Sequence, residues 1–398
     1  MLKTNIRYGY NDVMIQPAVV SDINHRSECN PYIEDGMLPI FTAPMSTVVD
    51  TQNYDLFYEN HLFAILPRNI NWEIRKEWIY KGKWVAVSLG EFEDFICKED
   101  NFCQCPKDYH LRIVIDVANG HMKKIFMLSC LAKIIHGNHL EIMSGNIANP
   151  KTYDDYCGAY IDYVRVGIGG GAGCITSSNT GIHDGIASLL NDINSYKAYR
   201  KANGKFYTKV IADGGIRGYS DVIKALALGA DYVMIGSVFA QCMESAGEKT
   251  YKTTTSKTSL SFNIEIYKDF EIDKNGNWSA YYADEYITAL IEELQSWKYN
   301  ERIASLKEKK FIGPISVKFF GMASSDGQKS ISGEKTKTAE GITKYLPVLY
   351  TLNGWTKNMI SYLRSAMSYC NITDVKCFTP TNVTVQIISN NTVNSINK

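Results

Sequence analysis

Eight short apolar runs, each closed by turn residues, recur between residues 38 and 238 of the chain. They are LPIFTAPMS (38–46), LFAILPR (62–68), WVAVSLG (84–90), LRIVIDVANG (111–120), LEIMSGNI (140–147), YVRVGIGGG (163–171), KVIADGGI (209–216) and DYVMIGSV (231–238). Each run is rich in Val, Ile and Leu without strict alternation, which is typical of strands buried on both faces of a parallel sheet. Helix-like segments separate several runs, such as 220–230, where we expect Ser220 as the N-cap and Gly229 as the terminator. This alternation predicts an α/β fold, a (β/α)8 TIM barrel, with an open doubly wound sheet as the alternative.

Polar residues close many of these runs. In a barrel, the loops after the carboxyl ends of the strands form one rim, and catalytic groups lie there. We therefore expect the functional residues to converge on that rim. Its predicted members are Ser46, Asp116, Asn119, Asn146, the 167–176 loop, Asp213 and Ser237.

The barrel pattern breaks in two places. Residues 249–312 begin Thr/Lys-rich and then carry an amphipathic helical pattern near 284–309, so we predict an insertion after the last barrel strand. Residues beyond about 378 are polar, and we expect them to be either poorly ordered or an edge strand. The predicted organisation is a single barrel catalytic domain over 1–378, an insertion at about 249–312, and a polar tail over 379–398.

Charge, hydropathy and cysteine usage bound the classes of partner. Lys plus Arg and Asp plus Glu both number 42, so we expect no nucleic-acid or membrane partner, and any anion site must be local. The amino-terminal stretch has no apolar signal-type segment, and no run of 18 apolar residues occurs, which predicts a soluble, cytoplasmic protein. The ten cysteines, with Cys103 and Cys105 as the one tight cluster, fit neither a zinc ribbon nor a disulfide scaffold. We expect mostly buried thiols in a reducing compartment.

The most unusual stretch is 166–181, VGIGGGAGCITSSNTG, which places four glycines in five positions ahead of Cys174. Glycine lets other atoms approach the backbone closely, so something must fit against this loop. Backbone N–H groups in such a loop favour a thiolate, as a nucleophilic cysteine requires. The loop therefore predicts that Cys174 is a nucleophile; the alternative is a tight strand–helix turn with an incidental buried thiol.

Two glycine-rich turns follow later strands, in ADGGIRGYSD (212–221) and MIGS (234–237). Backbone amides and a helix N-terminus at such turns hold phosphoryl groups in many barrels. Asp213 would be repelled by a phosphate, so we expect it to accept hydrogen bonds from a ribose diol. The alternative is that both turns serve packing alone.

These stretches together resemble one known family. IADGGIRGYSDVIKALALGADYVMIGS, VGIGGGAGCIT, YNDVMIQPA and APMSTV are similar to motifs of the IMP dehydrogenase/GMP reductase family. The resemblance covers most of residues 8–248, resumes at FFGMASS (319–325) and continues through LRSAMSYCN (363–371). It implies a barrel, usually a homotetramer, whose cysteine attacks C2 of a purine nucleotide to give a covalent thioimidate.

The resemblance is closest to the reductase branch. IDVANG (115–120) and ESAGE (244–248) are similar to reductase loops, and no regulatory tandem domain interrupts residues 90–111. Dehydrogenases carry an Arg-Tyr flap to activate water, and the segment from Gly321 to Glu340 contains neither residue type. We therefore expect NADPH-dependent reductive deamination of GMP to IMP and ammonia. The alternatives are an IMP dehydrogenase lacking regulatory domains, which would form XMP with NAD, and a catalytically silent purine-nucleotide-binding paralogue.

The resemblance also implies a set of site residues. The catalytic residues would be Cys174, Thr176 and Glu340, with Thr176 and Glu340 as the proton-handling pair. Purine nucleotide would bind at Asp213, Gly214, Gly215, Gly236, Ser237, Gly321, Met322, Ala323 and Gly341. NADPH would bind at Arg68, Asp116, Val117 and Ala118, with Arg26, Arg364 and Ser365 reaching a neighbouring subunit's cofactor. A monovalent cation, K⁺, would bind carbonyl oxygens of Gly169, Gly171 and Cys174.

The chain departs from the family pattern at several positions. Ser177 stands where the reductase loop usually has Arg, Ser46 replaces an Asp, and Ser237 replaces a Gly. The 249–312 stretch belongs to neither branch. These departures leave open an altered substrate or a degenerate paralogue, and the choice between ribonucleotide and deoxyribonucleotide also stays open.

Overall fold

The computed structural model describes residues 6–98, 109–250, 271–272, 278–279, 316–334 and 338–388. The strands are β1 (Val13–Gln16), β2 (Ile40–Thr42), β3 (Trp84–Val87), β4 (Leu111–Asp116), β5 (Leu140–Ile147), β6 (Tyr163–Val166), β7 (Lys209–Asp213), β8 (Tyr232–Ile235), β9 (Lys249–Thr250), β10 (Glu271–Ile272), β11 (Trp278–Ser279), β12 (Ser316–Phe320), β13 (Thr343–Pro347) and β14 (Thr384–Ile387). The α-helices are α1 (Tyr54–Glu59), α2 (Trp72–Tyr80), α3 (Leu89–Lys98), α4 (Lys123–His136), α5 (Thr152–Gly158), α6 (Thr176–Thr180), α7 (Ile186–Ala202), α8 (Tyr219–Ala227), α9 (Ser237–Ala240), α10 (Ser325–Ser332) and α11 (Leu352–Tyr369).

Seven parallel strands form one curved sheet in the order β2-β8-β7-β6-β5-β4-β3. The predicted run at 62–68 closes the sheet, because Phe63 pairs with Phe41 of β2 and Leu66 pairs with Val85 of β3. The eight predicted runs thus surround one barrel axis, with helices between successive strands, as a right-handed β-α-β succession requires. The predicted (β/α)8 barrel is confirmed, and the open doubly wound sheet is excluded by this closure.

The barrel strands are buried on both faces. In β3, Trp84 and Ala86 belong to the cluster inside the barrel, whereas Val85 and Val87 belong to the layer between sheet and helices. Both layers are apolar, so alternate residues of a strand meet different but equally dry surroundings. This two-sided burial explains why the runs show no apolar–polar alternation.

Aromatic side chains fill one end of the barrel interior. Trp84 lies 5.3 Å from Tyr163 between ring centroids, Tyr163 lies 5.6 Å from Tyr232, and Phe41 lies 5.2 Å from Tyr232. Most of these residues stand at or near the first positions of their strands. The amino-terminal end is therefore packed, and a ligand site has room at the carboxyl end.

Smaller sheets involve the segments that break the barrel pattern. β9 and β13 flank β12 in an antiparallel sheet, and Thr250 pairs in register with Ser316. The predicted insertion begins within β9, and most of it, including the amphipathic pattern at 284–309, lies outside the described residues. In the predicted tail, Thr384–Ile387 form β14, which pairs antiparallel with β1. Residues 389–398 lie outside the description.

Two local expectations need correction. Ser220 is not the N-cap of α8, which begins at Tyr219 after Gly218; the Asp221 carboxylate accepts from the Arg217 N–H (2.9 Å) at this end. All eight cysteines in the described ranges are free thiols, and four of the eight are buried. The expectation of mostly buried thiols therefore holds for half of them. Cys103 and Cys105 lie outside these ranges.

Candidate active site

A cavity of about 970 Å³ opens at the carboxyl end of the barrel. The predicted catalytic residues Cys174, Thr176 and Glu340 line it together. So do most of the other predicted site residues: Arg68, Asp116, Val117, Ala118, Gly169, Gly171, Asp213, Gly214, Gly215, Gly236, Ser237, Gly321, Met322, Ala323 and Gly341. Of the remaining predicted rim residues, Asn119 and Asn146 line the cavity and Ser46 does not. The structure thus brings together residues from segments more than two hundred positions apart in the sequence.

The cysteine loop, residues 167–185, leaves the carboxyl end of β6 through Gly167. Gly167 has φ +123°, and a Cβ there would lie 2.3 Å from the Asp213 carbonyl oxygen, so no side chain fits. Farther along, the Gly170 carbonyl accepts a hydrogen bond from the Gly215 N–H at 2.9 Å. These close backbone contacts explain the glycine-rich sequence, because the loop lies directly on the turn after β7.

Cys174 stands at one end of a chain of hydrogen bonds. Its thiol donates to Thr176 Oγ1 at 3.3 Å, and the Thr176 hydroxyl donates to Glu340 Oε2 at 3.1 Å. Backbone pairing holds the two segments together, since the Ile175 N–H donates to the Glu340 carbonyl and Cys174 bridges to Gly341. A thiol, a hydroxyl and a carboxylate in series can pass a proton away from the sulfur and return it elsewhere.

The glycine turn after β7 is partly committed to internal hydrogen bonds. Gly214 and Gly215 have φ of +93° and +77°, which a side chain rarely adopts. Since the Gly215 N–H is donated to Gly170, a phosphate contact at this turn would fall to another amide. The second turn places Gly236 at the N-cap of the short helix α9, with Ser237 as its first residue.

A buried ion network lies at the base of the cavity, and the sequence analysis missed its central residue. Arg165 of β6 has a side chain only 10% exposed, and it pairs with Asp116 of β4 and Asp213 of β7, each at 2.9 Å. Asn146 Nδ2 also donates to Asp213 Oδ2, at 2.7 Å. Asp213, predicted to hold a ribose, is therefore first a partner of Arg165. The Arg inside the apolar run YVRV was the available signal, because a buried charge in a strand needs partners.

The network keeps Arg165 fully charged. Burial by itself lowers the pKa of this guanidinium, but the charges and hydrogen bonds of Asp213 and Asp116 outweigh burial and raise the pKa. The charged guanidinium of Arg165 thus joins the ends of β4 and β7, two strands that β5 and β6 separate in the sheet.

The predicted cofactor side of the cavity is formed by the end of β4 and the 62–68 run. Arg68 Nη1 donates to the Asp116 carbonyl at 3.1 Å. Arg68 Nε is buried and has no hydrogen-bond partner among the described residues. A buried donor without a partner beside a large cavity fits a polar ligand group, as a nicotinamide cofactor would supply.

Two of the three carbonyl groups predicted to hold K⁺, those of Gly169 and Gly171, already accept hydrogen bonds within the loop. The Gly169 oxygen accepts from the Ser177 hydroxyl at 3.3 Å, and the Gly171 oxygen accepts from the Cys174 N–H at 3.0 Å. Each carbonyl oxygen keeps a second lone pair for a further partner, and a K⁺ site at these oxygens stays a prediction. In the described ranges, no group of three or more His, Cys, Asp or Glu side chains is placed to hold a metal ion.

Three residues predicted to reach a neighbouring subunit's cofactor do not line this cavity. Arg26 lies in a one-turn 3-10 helix, Arg26–Glu28, that packs against α11. Arg364 of α11 donates from Nε to the Cys29 carbonyl at 3.1 Å, and Ser365 lies beside it in the same helix. Their role toward a second subunit's cofactor stays a prediction.

The fold and the site define an α/β-barrel protein whose carboxyl rim combines a cysteine loop with paired glycine turns. Residues 7–263 match the family model described as the IMP dehydrogenase / GMP reductase domain. The chain is 34% identical over 255 residues to a GMP reductase of Staphylococcus epidermidis, covering 61% of this chain and 73% of that protein. It is 34% identical over 257 residues to a GMP reductase of Bacillus thuringiensis subsp. konkukian, covering 62% and 74% respectively. It is 33% identical over 251 residues to a GMP reductase of Helicobacter pylori, covering 61% and 73%.

The chain therefore belongs to the IMP dehydrogenase/GMP reductase family, and the three relatives named above are GMP reductases. This is a family of oxidoreductases that act on purine nucleotides with a nicotinamide cofactor. Across the part of the chain that the structure describes, none of the helices is long and apolar enough to cross a membrane.

Proposed function

We propose that this protein catalyses the NADPH-dependent reductive deamination of GMP to IMP and ammonia. The observation that carries the proposal is the hydrogen-bonded series Cys174–Thr176–Glu340 on the wall of the cavity, with distances of 3.3 and 3.1 Å. The series joins a nucleophile to a proton acceptor, which is what displacement of an amine at a purine carbon requires.

In the first step, the Cys174 sulfur bonds to C2 of GMP while its proton passes through the Thr176 hydroxyl to Glu340. The same carboxylic acid then returns the proton, through Thr176, to the departing amine. The C2–N bond breaks, ammonia leaves, and a thioimidate between Cys174 and the purine remains. Atoms balance, because the thiol proton ends on the ammonia.

In the second step, C2 would receive a hydride from NADPH held by Arg68 and the loop at 116–118. The C2–S bond breaks, IMP is released, and the Cys174 thiolate takes a proton from water. The overall change consumes GMP, NADPH and one proton and forms IMP, NADP⁺ and ammonia. Cys174 returns to its starting state without an external base.

The predicted binding residues complete the proposal. The glycine turns after β7 and β8 would hold the nucleotide phosphate, Asp213 the ribose, and Met322 and Gly341 the purine. Arg68 and the Asp116–Ala118 loop would hold the nicotinamide half of NADPH. Carbonyl oxygens of the cysteine loop would bind K⁺, and Arg26, Arg364 and Ser365 would meet a neighbour's cofactor in a homotetramer. We place the enzyme in the cytoplasm, where its free thiols would stay reduced, and expect no membrane or nucleic-acid partner.

The alternative within the family is an IMP dehydrogenase, and one feature of the chain disfavours it. The segment Gly321–Glu340 contains no Arg and no Tyr, the pair that a dehydrogenase flap uses to activate water. Without that activation, the thioimidate would be reduced rather than hydrolysed.

One assay separates the possibilities. Purified protein is mixed with GMP and NADPH and, separately, with IMP and NAD⁺, and nicotinamide absorbance and ammonia are followed. Loss of NADPH with equal release of ammonia supports the reductase. Formation of NADH with XMP would establish a dehydrogenase instead, and nucleotide binding without turnover would establish a silent paralogue.

A further inference from the structure

A short segment near the amino terminus contacts the end of the cysteine loop. We call residues 7–10 the N-terminal strap. Arg7 donates from Nε to Asp184 Oδ1 at 2.6 Å and from Nη2 to Asp184 Oδ2 at 2.8 Å. Its third nitrogen, Nη1, pairs with Asp192 of α7 at 2.7 Å. A two-point fork onto one carboxylate fixes orientation as well as distance, so Arg7 holds the loop end in one place.

Backbone contacts reinforce the fork. The Tyr8 carbonyl accepts from the N–H groups of Ala187 and Ser188, at 3.0 and 3.2 Å, in the first turn of α7. The Tyr8 N–H donates to Ser188 Oγ at 2.9 Å. A Cβ at Gly185 would lie 2.7 Å from the Tyr8 carbonyl oxygen. The strap therefore satisfies helix N–H groups that otherwise lack partners, at the point where the cysteine loop ends.

The other end of the strap reaches the glycine turn after β7. The Tyr10 ring lies 3.5 Å from the position that a Cβ on Gly215 would take. Gly215 in turn donates its N–H to Gly170 within the cysteine loop. The Tyr10 carbonyl accepts from the buried Lys224 ammonium of α8 at 3.0 Å. The strap thus contacts the carboxyl end of the cysteine loop directly. It reaches the glycine-rich half of that loop through Gly215.

We propose that the N-terminal strap positions the cysteine loop and that Arg7 is its principal positioning residue. A long glycine-rich loop loses much conformational freedom when it is ordered. Anchoring its exit on the fork and its middle on the turn at Gly215 reduces the number of arrangements open to the Cys174 thiol. The inference rests on the proposed function only in taking Cys174 as the reacting group.

The test compares Arg7→Ala with wild type in two independent measurements. The first is the rate at which iodoacetamide alkylates Cys174, read from the mass of its peptide, which needs no enzymatic activity. The second is steady-state turnover of GMP with NADPH, together with the Kd of GMP. We expect alkylation to be roughly 3–10-fold faster and kcat to fall by a similar factor, with the Kd changed less than about 3-fold.

Two further sets of variants separate positioning from general stability. Arg200→Ala removes an Arg–Asp pair of the same kind, Arg200–Asp154 at 2.8 Å, from the far end of α7, and should match wild type in both measurements. Asp184→Ala should reproduce most of the effect of Arg7→Ala, which also loses the pair with Asp192. The double variant should be no worse than Arg7→Ala, because the fork is the contact that the two variants share. Arg7→Lys keeps the charge and loses the two-point fork, so its alkylation rate and kcat should lie between those of wild type and Arg7→Ala.

Each outcome decides the inference. Alkylation and kcat in Arg7→Ala that equal those of Arg200→Ala would overturn it, even if the thermal midpoint of Arg7→Ala fell. Faster alkylation in Arg7→Ala, in a protein that does not turn over GMP, would support the strap and defeat the proposed function. Normal turnover in wild type with no effect of Arg7→Ala would defeat the strap alone.

Discussion

At the scale of single residues, two polar arrays occupy the walls of one cavity. Cys174, Thr176 and Glu340 form a series that can move a proton, whereas Arg165 sits between two carboxylates and cannot release one. The first array is suited to chemistry and the second to holding shape.

Replacement of Cys174 by Ala should abolish turnover and leave the affinity for GMP within about tenfold of wild type. The reason is that the thiolate supplies the covalent step, whereas the glycine turns supply most of the binding. Turnover is measured by NADPH absorbance and affinity by calorimetry. Cys377→Ala, at an exposed thiol, is the matched control and should behave as wild type. Retained steady-state activity in Cys174→Ala would refute the nucleophile.

Replacement of Glu340 by Gln should slow ammonia release by about 10²–10⁴-fold, the usual effect of losing a positioned acid or base. Hydride transfer to a preformed thioimidate needs no proton from this pair, so it should change much less. Single-turnover experiments follow ammonia and NADPH separately. Glu334→Gln, an exposed carboxylate of the same segment, serves as the control. Equal slowing of both steps would mean that Glu340 only orients the purine.

Replacement of Arg165 by Met should lower the free energy of unfolding by about 3–5 kcal/mol, because the largely covered carboxylates of Asp116 and Asp213 lose their shared cation. Arg68 stays near only one of them, with Nη1 3.8 Å from Asp116 Oδ2. Urea unfolding measures the change. Arg200→Met removes a partly exposed pair and should cost no more than about 1 kcal/mol. A loss in Arg165→Met as small as in the control would show that water solvates the two carboxylates well.

At the scale of elements, the connection from β6 to the cysteine loop determines where the thiol lies. β6 and β7 are neighbours in the sheet, and Gly167 and Gly170 rest on the backbone of residues 213–215. The loop therefore takes its position from the sheet itself, with its exit held at the start of α7.

Replacement of Gly167 by Ala should destabilise the fold and displace the loop. The positive φ alone costs about 1–3 kcal/mol, and the added methyl would also meet the Asp213 carbonyl at 2.3 Å. The free energy of unfolding and the alkylation rate of Cys174 are the measurements. Gly158→Ala, at the end of α5 with nothing within 4 Å, should change stability by less than about 1 kcal/mol. Similar behaviour of the two variants would contradict this account of the β6 connection.

At the scale of the whole molecule, residues 251–315 form the long connection between β9 and β12, after the last barrel strand. Thr250 of β9 and Ser316 of β12 are direct partners in an antiparallel pair, so the two ends of that stretch are neighbours. Adjacent strand ends of this kind can be joined by a two-residue turn.

Replacement of residues 251–315 by Asn-Gly should therefore leave the barrel folded and able to bind GMP. The antiparallel pair already holds the ends together, so closing a shorter connection adds no strain. Circular dichroism, thermal unfolding and nucleotide binding are the measurements. A second variant with a ten-residue Gly/Ser linker controls for turn geometry. If both variants are insoluble, the deleted stretch covers barrel or subunit surface, contrary to the prediction.

The sequence by itself determined the barrel and predicted the candidate reacting groups. The eight strands and the polar residues that follow them can be recognised in the sequence, because a strand buried on both faces requires a continuous run of apolar residues. Cys174 can also be singled out from the sequence, because the glycines that permit close backbone approach are adjacent to it. Both patterns consist of consecutive residues, so they can be recognised without a structure.

Only the tertiary structure decided which side chains meet. Arg165 pairs with carboxylates 49 and 48 positions away, and Glu340 reaches a hydroxyl 164 positions away. The fork from Arg7 to Asp184 spans 177 positions, and β1 pairs with β14 across nearly the whole chain. Such contacts depend on how whole helices and strands pack together. In the sequence, each partner by itself cannot be distinguished from an ordinary polar residue or strand. The hydrogen bond from the Gly215 N–H to the Gly170 carbonyl is of the same kind, because the two residues become neighbours only when the barrel closes.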